Sequence, residues 1–183
     1  MREVSDAFLL NVAEVSGSLL GLFVVGMLFF VETGFRRLER RAGEVVQAYF
    51  RASTRIVLLL FVIPLGLSMT LVVLELGWST ALFAFLSVAL VAANLDTLRL
   101  VRQAQRATGS RMMLVNEVAG SVAVAVLVLL PWLLGGLDPS RGDLTWAILL
   151  SFGAAIASVF VLVLSVFDIG REAPRPDGSG SRG

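Results

Sequence analysis

The stretch Ile56–Leu76, IVLLLFVIPLGLSMTLVVLEL, carries no charge before Glu75. A helix rises 1.5 Å per residue, so about 20 mostly apolar residues cross the roughly 30 Å hydrocarbon core of a bilayer, and this stretch is long enough. Four more segments have the same character, at about 7–31, 80–101, 112–134 and 144–167. The expected fold class is therefore all-α, a polytopic transmembrane helical bundle with five spans. Residues 1–170 form its single domain. A Pro-, Gly- and Ser-rich tail, 171–183, is expected to be disordered.

Composition agrees with that reading. The 183-residue chain is 57% hydrophobic and 16% charged, against about 25% charged in an average soluble domain. Its mean hydropathy is +0.87. All 15 basic residues are Arg, and His and Cys are absent. Their absence excludes Cys/His zinc sites, His-ligated haem, Cys nucleophiles, disulfides and a Ser-His-Asp triad. No metal or cofactor is expected. The acidic start (Glu3, Asp6) and the long first apolar run are unlike a cleaved signal peptide, so the first helix is expected to be retained.

The arginines set an orientation. Thirteen of the 15 fall in 32–55, 99–111 or the tail, leaving Arg2 and Arg141 on the other side with Glu3, Asp6, Glu75, Asp138 and Asp143. By the positive-inside rule the N-terminus is outside and the C-terminus cytoplasmic, in a cell membrane. Gly77-Trp78 is expected to form one external turn, with Ser79 capping the third helix. Gly135–Asp143, GGLDPSRGD, forms the other, with Asp143 capping the fifth. Trp132 and Trp146 flank that second turn at interfacial depth.

The segment 32–55 repeats Phe35, Leu38, Ala42, Val45, Val46 and Tyr49 at helical spacing. It reads as a cytoplasmic amphipathic and basic segment, lying at the surface or extending a neighbouring span. Its Arg36, Arg37, Arg40 and Arg41 suit anionic headgroups. Glu39 and Glu44 interleave with them, so nucleic acid is not an expected partner.

Carboxylates inside the spans carry the functional argument, because a charge at mid-bilayer costs about 2.5–3.5 kcal/mol on insertion scales and usually faces protein or water. Glu14 and Glu117 are the two candidates. At 100° per residue Asn11, Glu14, Ser18 and Gly21 share one narrow arc of the first span, with Gly17 at its edge. Asn116, Glu117, Gly120 and Ser121 share an arc of the fourth. Both stripes are expected to face protein. Gly17 and Gly21 form a GxxxG pair, and Gly120 and Ser158 are further helix-packing candidates. Pro64 should kink the second span. Asp96 lies one turn from Arg99, which points to a salt bridge.

The core Glu-Val-(Ser/Ala)-Gly-Ser recurs at 14–18 and 117–121. In spans running opposite ways, it is compatible with a weak inverted repeat of spans 1–2 and 4–5. Such carboxylates have two uses. They bond helices together, Glu14 reaching for example Asn94, or they line a water-filled route for a cation or proton. Asn11, Asn116, Ser18 and Ser121 would complete the route. With no catalytic motif in the chain, an enzyme is not expected. The expected function is an oligomeric channel or transporter-like protein made of several copies, the alternative a non-transporting scaffold or accessory subunit.

Overall fold

In the computed structural model, residues 4–33, 44–108 and 111–171 are described; the side chains of 30–50, 101–117, 119, 162 and 164–171 are not among them. The described residues form five helices and no strand: α1 (Asp6–Thr33), α2 (Glu44–Val73), α3 (Leu76–Thr108), α4 (Arg111–Gly135) and α5 (Arg141–Arg171).

Helix ends follow from their capping chemistry. Ser5 Oγ accepts from the Phe8 N–H at 3.3 Å and caps α1. Ser140 and Asp143 form a reciprocal pair at the start of α5. Asp143 Oδ2 accepts from the Ser140 N–H at 2.9 Å and from its hydroxyl at 2.7 Å, while Ser140 Oγ accepts from the Asp143 N–H at 3.3 Å. This is a capping box, which satisfies backbone donors that a first turn otherwise leaves open. The cap is thus Ser140, and Asp143 supports it from within the helix. Just upstream, α4 is stopped by Gly136, the residue after its last, whose φ of 65° is open to glycine at little cost, and whose N–H donates to the Trp132 carbonyl at 2.9 Å.

The α2–α3 turn departs from expectation. Only Leu74 and Glu75 lie between the two helices, and Gly77, Trp78 and Ser79 already belong to α3. The Glu75 carbonyl accepts from the Trp78 and Ser79 N–H groups at 3.1 and 3.4 Å, so Glu75 is the cap. Its carboxylate complements the positive end of the helix dipole. Ser79 is buried rather than capping.

Named contacts give the direction of each helix. Gly17 faces Leu65 and Phe23 packs on Phe61, so α1 and α2 are antiparallel. Gly66 faces Leu82 across α2 and α3. Across α3 and α4, Phe83 stacks on Trp132, and Ser121 donates to Asn94 Oδ1 at 3.4 Å. Asp6, at the start of α1, pairs with Arg141 at the start of α5. The helices therefore alternate in direction, and one end of the bundle holds Asp6, Glu75, Asp138, Arg141 and Asp143. Arg51, Arg55 and Arg99 lie toward the other end.

Helices α2, α3, α4 and α5 pack in a ring, each against the next and α5 back on α2, while α1 lies outside the ring against α2. Inside the ring Leu60, Ile63 and Leu67 of α2 cluster with Phe83 and Leu90 of α3, Leu127 of α4 and Ile148 of α5, while Phe61 packs toward α1. Lipid tails are as apolar as these side chains, so dense packing rather than water exclusion holds them. α2 is continuous through Pro64, where the missing N–H frees the Leu60 carbonyl. On α5 the small residues Ser151 and Ala155 are fully buried, with Ala154 and Ser158 half-buried beside them.

Four helices are long and apolar enough to cross a membrane: α1 over Asp6–Phe29, α2 over Arg51–Val73, α3 over Leu76–Leu100 and α5 over Arg141–Val161. These suggest membrane insertion. In α4 the described apolar part is the shorter Gly120–Gly135. Residues 44–55 of the basic segment are continuous with α2. Arg36, Arg37, Arg40, Arg41 and the tail 172–183 lie outside the described residues.

Candidate functional site

The inner face of α1 is Leu9, Ala13 and Ser16, all buried, followed by the half-buried Leu20, Phe23 and Met27. This is the face that meets α2. Asn11, Glu14, Ser18 and Gly21 lie about half a turn around the helix from it, and all four are exposed. The stripe therefore turns away from the ring of its own chain. The reason lies in the wheel: the large residues Leu9, Leu20 and Phe23 gather on the other side, and they take the contact with α2.

Glu14 meets no hydrogen-bond or ion-pair partner among the described residues. Asn94, considered above as its partner, is bonded to Ser121 instead. Around Glu14 the exposed surface is apolar, with Leu10 and Val15 beside it and Leu22 farther along. A carboxylate thus sits on the outer surface of an apolar helix, and that helix is only 11% buried over its most apolar window.

The two glycines of the GxxxG pair separate as well. A Cβ on Gly17 would lie 3.6 Å from Leu65 Cδ1, an ordinary packing contact, whereas a Cβ on Gly21 would meet nothing within 4 Å. Gly120 is likewise open. Gly17 belongs to the inner seam and Gly21 to the outer stripe.

On α4, Ser121 is joined to α3 through Asn94, and Gly120 is exposed. The side chains of Asn116 and Glu117 lie outside the described residues. α1 packs on α2, and α4 on α3 and α5, so the described packing does not bring the two stripes to a common face. Asp96 Oδ1 lies 3.6 Å from Arg99 Nη1, one turn along α3, with both side chains largely exposed. Trp146 is exposed near the α4–α5 turn, while Trp132 is half-buried against Phe83. Among the described residues no group of carboxylates is placed to hold a metal ion.

Burial of four serines, Ser79 among them, is not announced by any motif in the sequence. Ser16, Ser68 and Ser79 are fully buried and Ser87 nearly so, and their hydroxyls meet no partner among the described residues. On the helix wheel Ser16 lies between Ala13 and Leu20, opposite the exposed Glu14. Ser140 was visible in the sequence, as the first residue of the S-x-x-D spacing of a capping box. Asp6 and Arg141 are 135 positions apart, and no local pattern links them.

Fold and site together define an all-helical chain whose long apolar helices suit a bilayer and whose first helix presents an outward polar stripe. No family model, curated protein or solved structure matches it.

Proposed function

We propose that the protein is a small multi-pass membrane protein acting as an oligomer, and that protons or monovalent cations pass along the boundary between copies, beside Asn11, Glu14 and Ser18. The observation that carries this is the exposure of Glu14 on the outer face of α1, inside a span. The ring interior is filled by Leu60, Leu67, Phe83 and Ile148, which argues for a route outside the ring. Five crossings with the N-terminus outside go with this reading, supported by the gathering of arginines toward one end. An inverted relation of spans 1–2 to 4–5 is part of it only through the opposite directions of α1 and α4. Glu117, Asn116 and Ser121 form the second half of the route in this proposal.

The test is flux. In vesicles under a potential of either sign, the wild type should pass protons or potassium. Glu14→Gln and Glu117→Gln should each reduce that flux with the fold intact by circular dichroism. Wild-type vesicles as tight as protein-free ones would remove the proposal. A second reading, a non-transporting scaffold or accessory subunit, is favoured by the same filled ring. It expects tight vesicles and silent Gln variants.

A further inference from the structure

We infer that the α4–α5 turn is seated in the lipid headgroup layer rather than in water, with Leu137 laid against the acyl chains of that leaflet. The inference rests on the membrane reading above and not on the ion route. Val122, Val126, Leu129 and Leu133 are exposed and recur at steps of four, three and four residues, one outward line along α4. The opposite face, Val124, Leu127 and Pro131, is buried. Leu137 comes four residues after Leu133, past the helix end, and at 95% it is the most exposed large hydrophobic side chain among the described residues. A single exposed Leu in water needs no explanation. Here it prolongs a line that faces the bilayer, so lipid, and not a protein, is the material nearest to it.

A turn can rest in that layer only when its backbone asks little of water. The N–H groups of Gly136, Ser140, Asp143 and Leu144 donate to the Trp132 carbonyl, Asp143 Oδ2, Ser140 Oγ and the Ser140 carbonyl. Pro139 has no N–H to satisfy and is buried. The Asp143 carboxylate is buried and accepts both Ser140 donors, and Arg141 is paired with Asp6, so neither turns a bare charge to the lipid. Asp138 is the exposed charge of the tip. Headgroup depth suits the Leu137-Asp138 pair, because the carboxylate can reach water while the leucine reaches the chains.

Two exposed tryptophans fix the level. Trp78 lies two residues into α3 and Trp146 five into α5, both at the end of the bundle that holds the turn. Tryptophan settles at the membrane–water interface, and at 1.5 Å per residue the two helix starts stand only about 3–8 Å beyond those positions. The headgroup layer is about 5–8 Å deep on each side. A turn at the level of those helix starts therefore stays within it.

Because the chain has no cysteine, a nitroxide can be attached singly at Leu129→Cys, Leu137→Cys and Asp138→Cys in phosphatidylcholine–phosphatidylglycerol vesicles. Its collisions with oxygen, which concentrates in lipid, are compared with its collisions with a water-soluble nickel chelate. The expected result is that oxygen dominates at 129 and, less strongly, at 137, while nickel dominates at 138. Oxygen at 129 with as much nickel contact at 137 as at 138 overturns the inference alone. Nickel contact at 129 as well means that the chain is not in the bilayer, and the membrane reading falls with the inference. A second measurement leaves Trp146 as the lone fluorophore through Trp78→Phe and Trp132→Phe. Lipid brominated near its ester end should quench it more than lipid brominated at the chain end, and quenching by aqueous iodide but by neither lipid counts against the seating. In intact cells a photo-crosslinker at Leu137 should yield lipid adducts, whereas protein adducts alone overturn the inference. None of these outcomes depends on whether the vesicles pass ions.

Discussion

The two long faces of α1 carry similar small and polar residues but meet different surroundings. On the inner face Ser16 and Gly17 sit among Leu9, Ala13, Leu20 and Phe23 and pack on α2. On the outer face Asn11, Glu14, Ser18 and Gly21 sit among Leu10, Val15 and Leu22 and are exposed. Large apolar side chains decide which face packs, because they supply contact area. Polar atoms decide what the remaining face requires, because hydrocarbon gives a carboxyl no hydrogen bond. A stripe of polar and small residues in a span therefore identifies a face that must be covered, and says nothing about whether the same chain covers it.

Breaking the inner seam should cost most. Leu9→Ala, at a fully buried position, should lower unfolding free energy by about 2–5 kcal/mol. Leu22→Ala, on the exposed side, should stay within about 0.5 kcal/mol; equal losses in a detergent titration would mean that the two faces are not distinct. Next come the glycines. Gly17→Leu drives a side chain toward Leu65 and should cost about 1–3 kcal/mol. Gly21→Leu, where a Cβ would meet nothing within 4 Å, should leave the unfolding midpoint unchanged. Gly135→Ala tests the shared end of the bundle, since its Cβ would lie 2.7 Å from Asp143 Oδ2 and 3.3 Å from the Ser140 backbone nitrogen. Loss of that capping box should cost about 1–2 kcal/mol, read as a lower melting temperature, and Asp143→Ala should reproduce most of it. Smallest is Asp6→Ala. The pair with Arg141 is 60% and 37% exposed, so its removal should cost no more than about 1 kcal/mol and less at high salt.

The long helices were legible because apolar length alone announces them. So was the alternation of arginines, which the packing gathers toward one end through Arg51, Arg55 and Arg99. The α2–α3 turn was misread because Gly77 and Trp78 resemble punctuation, whereas the chain turns at Leu74-Glu75 on backbone geometry that no residue type betrays. The polar residues of α1 do share one arc, and that arc is exposed rather than packed on the ring. A wheel gives the angle between residues but not where the neighbouring helix stands. The opposite arc, Leu9, Ala13, Leu20 and Phe23, held that information in its bulk. Glu117 stays where the sequence left it, on the Asn116–Ser121 arc, of which only Ser121 shows its partner, Asn94.

The pairing of Asp6 with Arg141 bears on how the chain assembles during its synthesis. Asp6 emerges with the first helix and Arg141 opens the last, so the bond that ties α1 to α5 forms only after nearly the whole chain has been made. Until then α1 is held by α2 alone among the described helices. Slowing synthesis between α3 and α5 would then lengthen the time that the first helix spends without its tie to the last.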